Sequence, residues 1–424
     1  MNIQKQYIES LDETLYSAVH ETGLRIYVIP KKGFSKTYAI YGTKFGSVNN
    51  HFVPLGETDG VQVPDGVAHF LEHKLFEQPD GSNAFDEFSR YGANANAFTS
   101  FTNTCYLFSC TNHFEECFAH LLSYVQEPYF TKENVDKEQG IIGQEIRMTN
   151  DNPEWRVLFN MLRGMYHSHP VQIDIAGTED SIAQIDADLL YKCYDTFYNL
   201  NNMTLSIAGN IKADEVLAIC DEMLRPCEDK GLETVFPDEP DDIVQAEIRE
   251  KQSVGASIFQ FGYKCLPCKE DFLRKEMTAS LAVSYLTDAS SEMYNRLLSD
   301  GIINASFGGE VFAGDGFFTV IFSGESEYPE TVKEALITEI KRITDEGINE
   351  KIFNRIKKAT YGDLVRQLCN VTAAASVMIN THMAGCKPFD VVDIVSELTA
   401  EDALSFIRNE LLPEKTVLSV IEKI

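Results

Sequence analysis

The sequence predicts an α+β fold of two homologous domains, each a mostly antiparallel sheet packed with helices. Three observations lead there. Short alternating strand-like runs are interspersed with long helical stretches. The order of these runs in the second half repeats that of the first. An acidic segment with Pro237 and Pro240, residues 228–242, separates the halves and reads as a linker. The expected domains are therefore 1–227 and 243–424, and a chain of 424 residues is long enough for both.

The first half begins with a strand, Leu24–Ile29, ended by Pro30, and a second alternating run over residues 37–46. A short helix follows Asp65-Gly66, and another, Asn83–Tyr91, stops at Gly92. Two strand-like runs, residues 96–101 and 103–110, lead into long helices from about His113. Met203–Ala208 closes the half as a strand ended by Gly209-Asn210. In the second half, residues 257–263 read as a strand and residues 290–300 as a helix stopped by Gly301. Residues 305–312 and 316–324 form a strand pair, helices fill residues 329 to about 408, and Thr416–Ile421 is a final strand.

Composition narrows the function classes. A net charge of −29 argues against nucleic acid as a partner, which needs a basic footprint. It would favour cationic or neutral peptide partners through long-range attraction, although solubility alone is the plainer cause of such a charge. No apolar run approaches the ~18 residues that span a bilayer, so no membrane span is expected. The opening Met1–Lys5, leading to Glu9, Asp12 and Glu13, resembles neither a secretory nor a transit segment. Ten cysteines without a regular framework suit a reducing compartment, and a cytoplasmic location is expected. The one C-x-x-C, Cys265–Cys268, lacks a second ligand pair for zinc and follows a strand end rather than opening a helix, so it reads as chance or packing ahead of a redox motif.

The chemistry lies in His69-Phe70-Leu71-Glu72-His73. A helix turns about 100° per residue, so His69, Glu72 and His73 share one sector. Val67, Phe70, Leu71 and Leu75 fall on the other side and can face a core. Histidines at i and i+4 lie one turn apart and can converge on one metal ion. Two histidines, one carboxylate and an open position make a catalytic zinc pattern. The carboxylate ligand should come from a separate element, and residues 133–150 hold the best candidates. There Val135, Ile141, Ile142 and Met148 form an apolar stripe, with Glu138 and Glu145 inside it two turns apart. A carboxylate in a buried stripe needs a metal or a buried histidine to offset its cost. Glu145 is the choice for the ligand and Glu138 for a supporting group behind it. Glu133 lies away from the stripe and is less constrained.

These residues resemble the pitrilysin/insulinase zinc peptidases, the inverzincins, whose signature is H-x-x-E-H followed by a Glu on another helix. Glu145 follows His73 by 72 residues, and Glu138–Glu145 is similar to the family's paired-glutamate helix. Gly92–Ser100 resembles its substrate-binding strand, and His169-Pro170, Gly177, Asn202-Met203 and Gly209-Asn210 match in order. The resemblance is to the short two-domain form, similar to the subunits of mitochondrial processing peptidase. It covers the first half closely and the second half in architecture.

The resemblance implies a zinc metalloendopeptidase with one Zn²⁺ per chain, held by His69, His73 and Glu145, and Glu72 as the catalytic base. It implies peptide substrates that add as a strand beside Asn96-Ala97-Phe98, and two such chains enclosing a chamber. In one respect this chain departs from the pattern. Active relatives place an Arg and a Tyr in the second half's helix-Gly-strand segment. Aligned on Gly301, those positions are Leu297 and Asn304, with Arg296 one residue out of register. The expectation is the zinc-bearing subunit of a heterodimer, with a homodimer as the rival. A non-catalytic peptide-binding or assembly subunit with a vestigial site is the alternative, although such relatives usually lose motif residues that this chain keeps.

Overall fold

The structure, a computed structural model, describes residues 3–228 and 231–424. They divide into two compact units. The first holds the described residues up to Ile146 with Asp174–Val235 and Leu364–Phe389, and the second holds Arg147–Ile173, Phe236–Asp363 and Asp390–Ile424. The crossing at residues 235–236 falls inside the acidic segment expected to separate the halves. The units are nevertheless not the contiguous halves 1–227 and 243–424, because each takes a helix from the other half of the chain.

The reason for the exchange is the sheet face that each helix covers. In the first unit, helix Val371–Met383 packs on the sheet, where Ser206 Oγ donates to the Ala375 carbonyl at 2.8 Å. Gly42 in strand Thr37–Thr43 makes room for it. A Cβ there would sit 3.0 Å from Met383 Cε and 3.1 Å from Ile379 Cδ1. In the second unit, helix Pro153–Met165 packs on the sheet in the same way. Gly262 in strand Ile258–Lys264 lies under its methionines, and a Cβ there would meet Met165 Cε at 2.5 Å and Met161 Sδ at 2.7 Å. Both glycines give up strand stability for close helix approach.

The last five strands of the larger sheet repeat the topology of the five-stranded sheet. In the first, the order is Gln4–Ile8, Glu13–Val19, Arg25–Pro30, Met203–Gly209, Thr37–Thr43, Thr104–Cys110, Asn94–Thr99. In the second it is Glu247–Gln252, Thr416–Lys423, Ile258–Lys264, Phe317–Glu325, Gly308–Gly314. Arg25–Pro30 pairs in parallel with Met203–Gly209, and Glu247–Gln252 pairs in parallel with Thr416–Lys423. The other pairings in both sheets are antiparallel. The duplicated α+β architecture expected from the order of elements is therefore present.

Among the described residues, six strands escaped the sequence pattern: Gln4–Ile8, Glu13–Val19, His51–Val53, Val61–Gln62, Glu233–Thr234 and Glu247–Gln252. The last, EIREKQ, is an edge strand rich in charge, so it carries no apolar alternation to read. Among the described residues, no helix is long and apolar enough to cross a membrane.

Candidate metal centre

The motif helix spans Val67–Lys74 and starts at Gly66, whose φ of 90° is left-handed. A Cβ at Gly66 would lie 2.3 Å from the Ala176 carbonyl oxygen, so only glycine fits the turn. Gly177, also at positive φ, meets Asp65 from the other side, and Ser181 Oγ donates to the Asp65 carbonyl at 2.8 Å. The helix entrance is thus fixed against residues more than a hundred positions downstream.

Val67, Phe70, Leu71 and Leu75 are buried in the first unit's core, as the helical wheel predicts. Most of the polar face is buried too: His69 is 9% exposed and Glu72 is 7% exposed, while His73 is half-buried. This face meets the helix Lys132–Asn150 and the strand Asn94–Thr99 rather than solvent.

The stripe on helix Lys132–Asn150 differs from the expected one. Val135, Ile142 and Ile146 are buried, but Ile141 and Met148 are exposed. The buried sector is narrower than the apolar residues suggest, and the glutamates lie along its edge. Glu138 is buried and Glu145 half-buried, and that edge brings both carboxylates to the histidines.

His69, His73 and Glu145 offer one ligand atom each, all within 4.8 Å of one another. His69 Nε2 lies 3.6 Å from Glu145 Oε1, and His73 Nε2 lies 3.6 Å from Glu145 Oε2. At this distance neither contact is a hydrogen bond. Donors sharing one tetrahedral zinc at ordinary bond lengths stand about 3.4 Å apart, so the spacing suits an ion between them. The two imidazoles meet edge to face with centroids 4.6 Å apart. Burial and the neighbouring His73 push His69 down to about 3, which keeps it neutral as a ligand must be. Burial opposes protonation of His73, but the hydrogen bond it donates to Glu138 and the charges of Glu72, Glu138 and Glu145 outweigh it and raise its pKa.

Glu138 Oε1 is 3.1 Å from His73 Nδ1. Burial raises the Glu138 carboxyl, yet His73 and Lys74 together hold it below the ordinary range. Glu72 Oε2 accepts from the Thr99 hydroxyl at 2.6 Å. Burial raises the Glu72 pKa in spite of that bond.

Asn94–Thr99 is the last strand of its sheet, bonded to Thr104–Cys110. Its side chains alternate: Asn94, Asn96 and Phe98 are exposed, while Ala95, Ala97 and Thr99 are partly buried. Of Asn96, Ala97 and Phe98, then, Ala97 shares the face of Thr99 and Glu72. Thr99 was not singled out in the sequence, although the N-A-N-A-F-T alternation puts it two residues beyond Ala97 on one face.

In the second unit, Leu297 is buried in the core. Asn304 Nδ2 donates to Glu325 Oε2 at 2.7 Å, and its Oδ1 accepts from the Ser306 amide at 2.8 Å. Arg296 is exposed on the same helix, Glu292–Ser299. Cys265 is buried at the end of a core strand, where burial pushes its thiol up, and Cys268 is half-buried.

Comparison with known proteins agrees with this architecture. Residues 55–179 match the family model described as insulinase (peptidase family M16), and residues 184–360 match the peptidase M16 inactive domain. The chain is 40% identical over 430 residues to a Bacillus subtilis protein named "Uncharacterized zinc protease YmfH", covering 98% of each. It is 24% identical to a second B. subtilis protein, "Uncharacterized zinc protease YmxG", over 84% of this chain and 88% of that one. Among solved structures, an M16-like peptidase from Alicyclobacillus acidocaldarius superposes with a TM-score of 0.94 at 30% identity, over 99% of this chain and 100% of that one. A Helicobacter pylori protease shares the fold, with a TM-score of 0.82 at 16% identity, over 96% and 99%. With its duplicated sheets, its H-x-x-E-H helix and full-length likeness to these proteins, the chain belongs to the insulinase family of peptidases, peptidase family M16.

Proposed function

We propose that this chain is a zinc-dependent endopeptidase and the zinc-bearing subunit of a heterodimer. Its substrates are peptides or unfolded segments that add as a strand beside Asn94–Thr99 inside the dimer chamber. The observation that carries the reading is the convergence of His69, His73 and Glu145 with the buried Glu72 beside them. His69, His73 and Glu145 would hold the ion. When bound, zinc supplies Lewis acidity, lowering the pKa of a water towards neutrality and polarising a carbonyl.

The chain's own residues do the proton work. Thr99 occupies Glu72 Oε2, which leaves Oε1 to take a proton from the attacking water. As the C–N bond breaks, Glu72 gives that proton to the leaving amine nitrogen. Burial brings the Glu72 pKa closer to the working pH than that of an exposed carboxylate, which suits a base that must later act as an acid. The edge strand supplies backbone groups to an extended peptide, so side-chain demands on the substrate are modest.

Support for the heterodimer comes from Leu297 and Asn304. One is core and the other is engaged with Glu325, so neither is free to stabilise a reacting carbonyl. The buried thiols Cys105, Cys110, Cys117, Cys193 and Cys220 suit a reducing, cytoplasmic setting. Zinc content by metal analysis, with peptide cleavage by the lone chain and by the chain with a homologous partner, tests the proposal. Full activity from the lone chain sinks the heterodimer. Stoichiometric zinc with no cleavage by any pairing favours the non-catalytic assembly subunit.

A further inference from the structure

Lys74 has no task in this mechanism, yet its side chain is fully buried. Lysine is almost never buried to this degree without partners. It directly follows His73 and ends the motif helix. Its ammonium pairs with Glu77 one turn on and lies 3.6 Å from Glu138 Oε2. The other oxygen of Glu138 is the one facing His73 Nδ1 at 3.1 Å. The Glu138 carboxylate is therefore held from both sides, by a cation at one oxygen and an imidazole at the other.

A carboxylate only accepts hydrogen bonds, so His73 Nδ1 carries the hydrogen, and in the neutral ring that a metal ligand requires Nε2 is left bare. Nε2 is the atom that faces Glu145. His69 has no matching support: among the described residues its buried Nδ1 has no hydrogen-bond partner. The two imidazoles are thus unequal, and the difference runs through Glu138 to Lys74.

We propose that Lys74 is a positioning residue of the metal centre. By fixing the Glu138 carboxylate it fixes the ring orientation and tautomer of His73, making His73 the better-supported of the two imidazole ligands. The inference rests on the zinc reading above. It assigns no contact between Lys74 and the ion or the substrate.

Zinc affinity measured by competition with a chromogenic chelator tests it, on the full chain and on Lys74→Met, Glu138→Gln and the double variant. Loss of a group behind a metal-binding histidine typically weakens metal affinity about 10–100-fold. Glu138→Gln should fall in that range. Lys74→Met, one contact further out, should weaken binding less than Glu138→Gln, by about tenfold, the low end of that range. The double variant should be no weaker than Glu138→Gln alone, because Lys74 acts through Glu138. Unchanged affinity in Lys74→Met, or losses that simply add in the double variant, overturns the proposal.

Thermal melting of the zinc-free proteins separates a folding defect from a binding defect. Should Lys74→Met not fold, Glu77→Gln replaces it, since it removes the other partner of Lys74 and leaves the contact with Glu138. Affinity equal to or tighter than that of the unaltered chain supports the proposal, and weaker binding refutes it. If the unaltered chain takes up no zinc at all, the zinc reading itself fails, which is a separate result.

Discussion

Glu72→Gln separates chemistry from metal binding in one substitution. The glutamine keeps the shape of the buried side chain, and its amide oxygen can still accept from Thr99 in place of Glu72 Oε2. Its amide nitrogen then stands where Oε1 was, and that group donates but cannot take a proton. Glu72 is outside the His69–His73–Glu145 grouping, so zinc content should stay near one per chain. Removing a general base typically costs about 10²–10⁴ in rate, or roughly 3–5.5 kcal/mol at 1.36 kcal/mol per decade. The loss should appear in kcat, with KM little changed, because strand addition uses the backbone. Stability moves the other way. The folded pKa of Glu72 is raised by burial, so its ionised form destabilises the zinc-free fold once the pH rises above the unfolded carboxyl value. Glu72→Gln should therefore melt at or above the temperature of the unaltered zinc-free chain at pH 7, with the gain shrinking towards pH 4. Cleavage of a fluorogenic peptide, metal analysis and melting curves read all three effects. A variant with full zinc and kcat within tenfold of the original would falsify the assignment of the base.

Three further outcomes follow from the geometry. Gly66→Ala places a Cβ 2.3 Å from the Ala176 carbonyl at positive φ; it should cost about 2–4 kcal/mol and lower zinc occupancy, read by melting and metal analysis. Leu297→Arg should not restore a catalytic arginine, because that side chain packs in the core. An unpaired buried charge costs about 3–5 kcal/mol, so the second unit should melt on the order of 10 °C lower, and an unchanged melting temperature would show that the position opens to solvent. Burial raises the Glu250 carboxyl, but hydrogen bonds from Arg156, Asn160 and Gln252 override it and bring the pKa down to about 2. Its folded pKa is depressed, so the stability from this group is present above about pH 4.5 and is lost as pH falls towards 2. Glu250→Gln should cost about 1–2 kcal/mol at pH 7, trimmed by partial exposure, and flatten the acid limb of a pH–stability profile.

Part of this was legible because it depends on local geometry. Helical spacing alone puts His69 and His73 one turn apart, and the structure has that helix, with Val67, Phe70 and Leu71 facing the core. Asn83 caps its helix and Gly92 follows it at positive φ, as the side-chain chemistry dictates. The rest was not legible, because burial is set by whatever covers a face. Ile141 and Met148 looked like core residues by periodicity, yet nothing packs over them deeply enough to bury them.

The sequence by itself determined the motif, the α+β class and the duplication, since i to i+4 spacing, strand alternation and element order are properties of neighbouring residues. Tertiary structure alone decided the exchange of helices Pro153–Met165 and Val371–Met383, which turns on Gly42 and Gly262 leaving room on the two sheets. It also decided the environment of Glu72, Glu138 and Glu145: Thr99 on one carboxylate, His73 and Lys74 on another, both histidines around the third. A carboxylate's role follows from the charge and burial around it, and those are contributed by elements far away in the chain.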